Sequence, residues 1–134
     1  MEFIIHEQPV SKKNSQQILV NRGTGRPFIS PSKKYKEYEK AALRELTDQG
    51  LKYSYEKGVD FPLTGAYNVR CVFYMGTRRA VDLVNMLECA CDVLVKAGVL
   101  EDDNCNIVIS HDGSRVLYDK ENPRTEIELT EFIL

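Results

Sequence analysis

The residues able to do chemistry in this 134-residue chain are concentrated between Arg78 and Asn104, in RRAVDLVNMLECACDVLVKAGVLEDDN. A basic pair, Arg78-Arg79, opens the stretch. Asp82, Glu88 and Asp92 follow, and Glu101-Asp102-Asp103-Asn104 closes it. Carboxylates are the hard oxygen ligands that Mg2+ prefers, and arginine donates to phosphate oxygens in a fixed fork. Acids brought from two elements, with arginines alongside, are what a magnesium site acting on phosphates requires.

Each of these residues also has a plain structural reading. Asp82 alone serves equally well as a helix N-cap. Asp92 and Lys96 stand in the favourable i, i+4 order and are expected to form a surface salt bridge. Asp102-Asp103-Asn104 makes an ordinary polar turn, and Glu101 faces solvent. His6 and His111 have no partner pattern and stay outside the chemistry. Cys71, Cys89, Cys91 and Cys105 include no CxxC spacing, which predicts buried, reduced thiols rather than a metal site or disulfides.

A scaffold must hold these groups in place. Leu83, Met86, Leu87, Ala90, Leu94 and Ala97 recur at helical spacing, predicting a helix over 82–97 closed by Gly98. Asp82, Asn85, Glu88, Asp92 and Lys96 then share its opposite face. An earlier helix is expected over 33–48, capped by Ser32 and ended by Gly50, with Tyr35, Tyr38, Ala42 and Leu46 buried. Lys33 and Lys34 at its start oppose the helix dipole, so they are not placed there for helix stability alone. Residues 51–65 read as a connector. Strands are expected over 3–5, 66–75, 107–110 and 125–132, the last burying Ile127, Leu129 and Phe132, with a hairpin of 17–21 and 26–29. Residues 115–123 lead into the last strand. This order predicts a single α+β domain over 1–134, two main helices packed on a mixed sheet.

Composition narrows the class. The hydrophobic share of 43% and the charged share of 28% belong to a globular chain. No apolar run approaches the ~20 residues of a membrane span, and the N-terminus lacks signal-peptide regions, so the cytoplasm is the expected location. Neither GxGxxG nor GxxxxGK[ST] occurs, and no nucleotide cofactor is expected. Net charge is −2, but residues 1–80 hold 14 Lys and Arg against 8 Asp and Glu, and residues 81–134 hold 4 against 12. That asymmetry predicts a basic surface beside an acidic pocket.

The ordered elements Asp82-Leu83-x-Asn85, Asp92-x-Leu94-x-Lys96-Ala97-Gly98 and Asp102-Asp103 together resemble the signature of the RusA family of small, homodimeric Holliday-junction resolvases. Ser11-Lys12-Lys13-Asn14-Ser15 and the helix entry from Ser32 to Tyr38 are similar to the family's N-terminal part, so the likeness spans most of the chain. The resemblance implies a homodimeric, Mg2+-dependent endonuclease of branched DNA, with Mn2+ able to substitute. It implies metal ligands at Asp82 and Asp103. Family members carry another aspartate two residues after the first and a lysine six residues after it, where this chain has Val84 and Glu88.

Val84 has no donor atom, and Glu88 reverses the expected charge. Because Glu88 shares a helical face with Asp82 and Asn85, it is expected to restore the acidic count as a third ligand, with Asp102 completing the catalytic group. Arg78, Arg79 or Lys96 would supply the missing positive charge. DNA contacts are expected from Arg78, Arg79, Lys12, Lys13, Asn14, Lys33, Lys34 and Lys96. The same residues leave two other functions open: a catalytically silent binder of branched DNA, and a phage nuclease with loose preference among flaps, forks and junctions.

Overall fold

The computed structural model describes residues 1–13 and 16–133. In chain order the elements are β1 (Glu2–Ile5), β2 (Gln16–Val20), β3 (Pro27–Pro31), α1 (Lys33–Lys57), β4 (Tyr67–Met75), α2 (Leu83–Lys96), β5 (Val108–Ser110), β6 (Arg115–Tyr118) and β7 (Arg124–Glu131). β4 is the centre. It pairs antiparallel with β7 from Tyr67↔Glu131 to Tyr74↔Arg124, and β1 adds antiparallel to the far side of β7. On its other edge β4 pairs parallel with β5 near Tyr67 and Asn68, and with β6 from Val72 to Met75. The sheet is mixed and the domain α+β, as expected.

Period-2 alternation puts Phe3, Ile5, Val69, Cys71, Phe73, Met75, Ile127 and Leu129 into the core. The helices add Tyr35, Tyr38, Ala42 and Leu46 from α1, and Met86, Cys89, Ala90, Val93 and Leu94 from α2. Each fully buried Val, Leu, Ile, Phe or Met side chain among them contributes about 1.5–3 kcal/mol relative to exposure.

Several expectations need correction. α1 does not end at Gly50 but runs seven residues further, to Lys57. Gly50 is buried, and the added turns bring Tyr53 against Phe3 with ring centroids 5.3 Å apart. That packing outweighs the weak helix propensity of one glycine. The true stop is Gly58, left-handed at φ 66°. Phe132 is exposed, because the period of β7 assigns odd positions to the core and Phe132 is even. Leu83 and Leu87 are only partly buried, and the buried face of α2 is centred on Met86, Ala90 and Val93 instead. Residues 115–118, which the sequence pattern assigns to no element, form a strand. Cys71, Cys89 and Cys91 are buried free thiols, whereas Cys105 sits exposed in a turn.

The outer edge of β1 is closed by side chains instead of another strand. Gln49 accepts from the Ile4 N–H at 2.8 Å and donates to the Ile4 carbonyl at 2.7 Å. The Tyr53 hydroxyl does the same for Glu2 at 2.9 and 2.8 Å, and Glu45 accepts from the His6 N–H at 3.0 Å. Residues 45, 49 and 53 follow one another at i, i+4 along α1, and the edge residues 2, 4 and 6 alternate along β1. A helical row therefore meets a strand's outward backbone groups in register.

No helix is long and apolar enough to cross a membrane among the described residues.

Candidate active site

The start of α2 is built by Asp82. Its Oδ1 accepts from the backbone N–H groups of Val84 at 2.9 Å and Asn85 at 3.3 Å, so Asp82 is the N-cap. Both bonds end on one oxygen, and the second carboxylate oxygen is not committed to the cap. The structural and chemical readings of this residue are thus compatible.

Asp82 lines a groove of about 720 Å³ together with Arg79, Lys34 and Lys120. The groove forms where β4 ends. Gly76 donates its N–H to Gln8 Oε1 at 2.8 Å, and a Cβ on Gly76 would lie 2.6 Å from that oxygen and 3.0 Å from Pro123 Cγ. A side chain at Gly76 would have to push the Gln8 carboxamide aside and crowd Pro123 at the strand end. Three cations facing one carboxylate make a recess suited to a phosphate chain. Lys120 was not among the expected residues. It reaches the groove because β6 pairs with the C-terminal half of β4 and the Asp119 N–H bonds the Met75 carbonyl at 2.8 Å. No sequence pattern announced that parallel pairing.

The basic residues divide. Arg79 enters the groove, whereas the Arg78 guanidinium lies 3.9 Å over the Tyr118 ring. Lys34 enters the groove, and Lys33 pairs with Glu37 at 3.9 Å. A second, smaller recess of about 180 Å³ is lined by Lys12, Lys13, Asn85, Glu88 and Asp92 among others. There Lys13 Nζ meets Glu88 at 3.0 Å and Lys12 Nζ meets Asp92 at 3.2 Å. Burial works against the Lys12 charge, but Asp92 and Glu39 together outweigh it, and the Lys12 pKa sits above the ordinary lysine value. The expected Asp92–Lys96 bridge is replaced: Lys96 pairs with Glu39 at 3.1 Å, beside Lys12 of the smaller recess. A cation from the N-terminal segment competes successfully for Asp92, which an i, i+4 rule cannot anticipate. Asn14 lies outside the described residues.

The acidic turn is organised by Asp102. Its Oδ1 accepts from the Asp103 N–H at 2.8 Å and its Oδ2 from the Asn104 side chain at 2.8 Å. The Asn104 amide, then the Asp103 N–H, hold the Asp102 carboxyl below the ordinary aspartate range. Asp102 shapes the turn that carries Asp103. The charge of Asp103 reaches Cys91, whose thiol is pushed up to about 12 by burial, then by Asp103 and Asp92. His111, set aside by its sequence context, presents Nδ1 to the Val69 carbonyl at 2.8 Å and Nε2 to Cys91 Sγ at 3.9 Å.

Among the described residues, no three His, Cys, Asp or Glu side chains lie close enough to hold a metal ion by themselves. Neither Asp102 nor Asp103 lines the groove that holds Asp82. The donor set is nevertheless all carboxylate, and Mg2+ is commonly held by one or two carboxylates, waters and the substrate's own phosphates. Among the described residues, Asp82 is the one carboxylate lining the groove, so only such an open mode, and not a closed protein cage, is compatible with this lining. Residues 8–130 match the family model described as Endodeoxyribonuclease RusA. No curated protein gives a significant match.

Proposed function

Because the chain belongs to the RusA endodeoxyribonuclease family, we propose that it resolves four-way DNA junctions by Mg2+-dependent hydrolysis of paired phosphodiesters. The observation that carries this reading is the groove in which Asp82 faces Arg79, Lys34 and Lys120. When bound, Mg2+ supplies an activated water for in-line attack and charge stabilisation at the leaving oxygen. Asp82 is the carboxylate in the groove that would hold it, and Asp103 and Glu88, which lie outside that groove, would join it only by closing toward bound DNA, with Asp102 fixing the turn behind Asp103. Arg79, Lys34 and Lys120 bind the phosphates on either side of the scissile bond. Lys13, drawn to Glu88, brings a positive charge to the position where a family lysine is missing. Lys12, Lys33 and Arg78 extend the basic surface outside the groove, and Lys96, paired with Glu39, adds to it beside Lys12. A C2 dimer matches the near two-fold symmetry of a four-way junction, one groove for each nicked strand.

The test is cleavage of a labelled four-way junction in Mg2+ or Mn2+, with EDTA as control. Asp82→Asn and Asp103→Asn are expected to abolish cutting and retain junction binding; cutting at the wild-type rate by either variant would sink the site assignment. A silent DNA binder is the second reading, favoured by the engagement of Glu88 with Lys13 and the lack of a ready three-acid cluster among the described residues. A junction that is shifted but uncut under every metal condition decides for it. Comparing flaps, forks and junctions as substrates separates a resolvase from a nuclease of loose preference.

A further inference from the structure

The β2–β3 hairpin forms a two-stranded sheet separate from the main one. Its pairing sets Ile18 opposite Ile29 and Val20 opposite Pro27, so these four share one face. Ile18 is 75% exposed, Ile29 67% and Val20 62%. An isolated two-stranded hairpin is marginally stable in water, and an aliphatic face left this open is a binding surface in search of a cover.

The tip is held in a defined turn. The Asn21 side chain accepts from the N–H groups of Gly23 at 2.8 Å and Thr24 at 3.1 Å, and the Asn21 carbonyl accepts from Gly25 at 2.7 Å. Gly25 takes a left-handed φ of 70°, and the Thr24 hydroxyl accepts from the Arg26 N–H at 3.3 Å. This fixed loop presents Arg22 and Arg26, both exposed. From Gln8 to Lys36 the chain carries seven Lys or Arg (Lys12, Lys13, Arg22, Arg26, Lys33, Lys34 and Lys36) and not one Asp or Glu.

We propose that this hairpin is a DNA-engaging arm: Arg22 and Arg26 grip the phosphate backbone, and the Ile18–Val20–Pro27–Ile29 face wedges against unstacked bases at the branch point. Isoleucine and proline are among the side chains that insert between base steps, exchanging unstacking energy for a bent duplex that contacts more protein. The charge decides the occupant. A second copy meeting this face across a two-fold axis would bring the acid-free segment against itself and set its arginines against like charge. A polyanion is complementary to it throughout. The inference rests on the branched-DNA reading above and assigns the arm a distinct task, recognition of the branch itself.

The experiment uses the full chain with a four-way junction carrying 2-aminopurine at the branch point, and a linear duplex of the same sequence. Wild type is expected to bind the junction and raise the fluorescence of the unstacked base. R22A/R26A should weaken junction binding and reduce the slope of log affinity against log salt by about 2, with R22K/R26K restoring most of that slope. I18S/I29S should lose the fluorescence rise while binding the linear duplex as wild type does. Circular dichroism melting confirms that each variant keeps its fold, since these side chains lie outside the core. Unchanged fluorescence and salt slope in the folded variants would overturn the arm and leave the nuclease reading standing. A dimer that falls apart on I18S/I29S in sedimentation would also overturn it, making the hairpin a contact between copies. A wild-type chain that binds no branched DNA removes the functional reading itself, and the arm with it.

Discussion

At the scale of single residues, Asp82 carries two duties that substitution can separate. Asparagine caps helices as well as aspartate, whereas alanine gives up about 1 kcal/mol. Asp82→Asn should therefore melt like the wild type while failing to cut, and Asp82→Ala should fail at both; thermal melts beside cleavage rates distinguish the two losses. Val84 and Glu88 hold the harder question. Val84 is 69% exposed in the first turn of α2, so an aspartate there displaces no packing and stands at the favourable end of the helix dipole. Val84→Asp is expected to raise cleavage at limiting Mg2+ by about tenfold, equivalent to about 1.4 kcal/mol. Glu88→Gln should lower cleavage, and a normal rate would show that Glu88 only holds Lys13. That pair is exposed on both sides, so its loss should change stability by no more than about 1 kcal/mol. Asp102 adds a pH test. Its folded-state pKa is depressed, so its support for the acidic turn is present above the ordinary aspartate range and lost as pH falls through the folded value. A carboxyl titration followed by NMR should place its midpoint below that of a free aspartate.

At the scale of elements, α1 shows how a local signal is overruled. Gly50 should cost helix stability, yet the helix continues because its final turns pack on β1. A Cβ at Gly50 would lie 3.9 Å from Phe61 Cε2, an ordinary contact. Gly50→Ala is accordingly expected to stabilise the protein by about 0.5–1 kcal/mol in denaturant unfolding, and a loss of stability would show that the helix is bent or crowded there. What could be read from the sequence was whatever depends on neighbours in the chain: the Ser32 and Asp82 caps, the Tyr35–Tyr38–Ala42–Leu46 stripe, the hairpin, and the alternation of β4. What could not be read depends on pairing between distant segments. The parallel docking of β6 on β4 delivers Lys120, and the N-terminal segment delivers Lys12 and Lys13 to Asp92 and Glu88. The acids of the candidate site were visible as a motif, but their ion-pair partners were not.

At the scale of the whole molecule, the uneven charge along the chain becomes a spatial arrangement. Basic residues from the N-terminal half face acids on α2, so part of the field is neutralised internally and part remains for DNA. One further property follows from the Glu45–Gln49–Tyr53 row along β1. Since the outward N–H and C=O groups of Glu2 and Ile4 are already bonded to side chains, this side of the sheet cannot recruit a strand from another molecule. Gln49→Ala should cost about 1–3 kcal/mol and should also make light scattering at high protein concentration rise with time. If scattering stays flat in a destabilised Gln49→Ala protein, the row serves stability alone. If scattering rises, resistance to fibrous self-association is a property this protein owes to three polar side chains on a helix, independent of how well its core is packed.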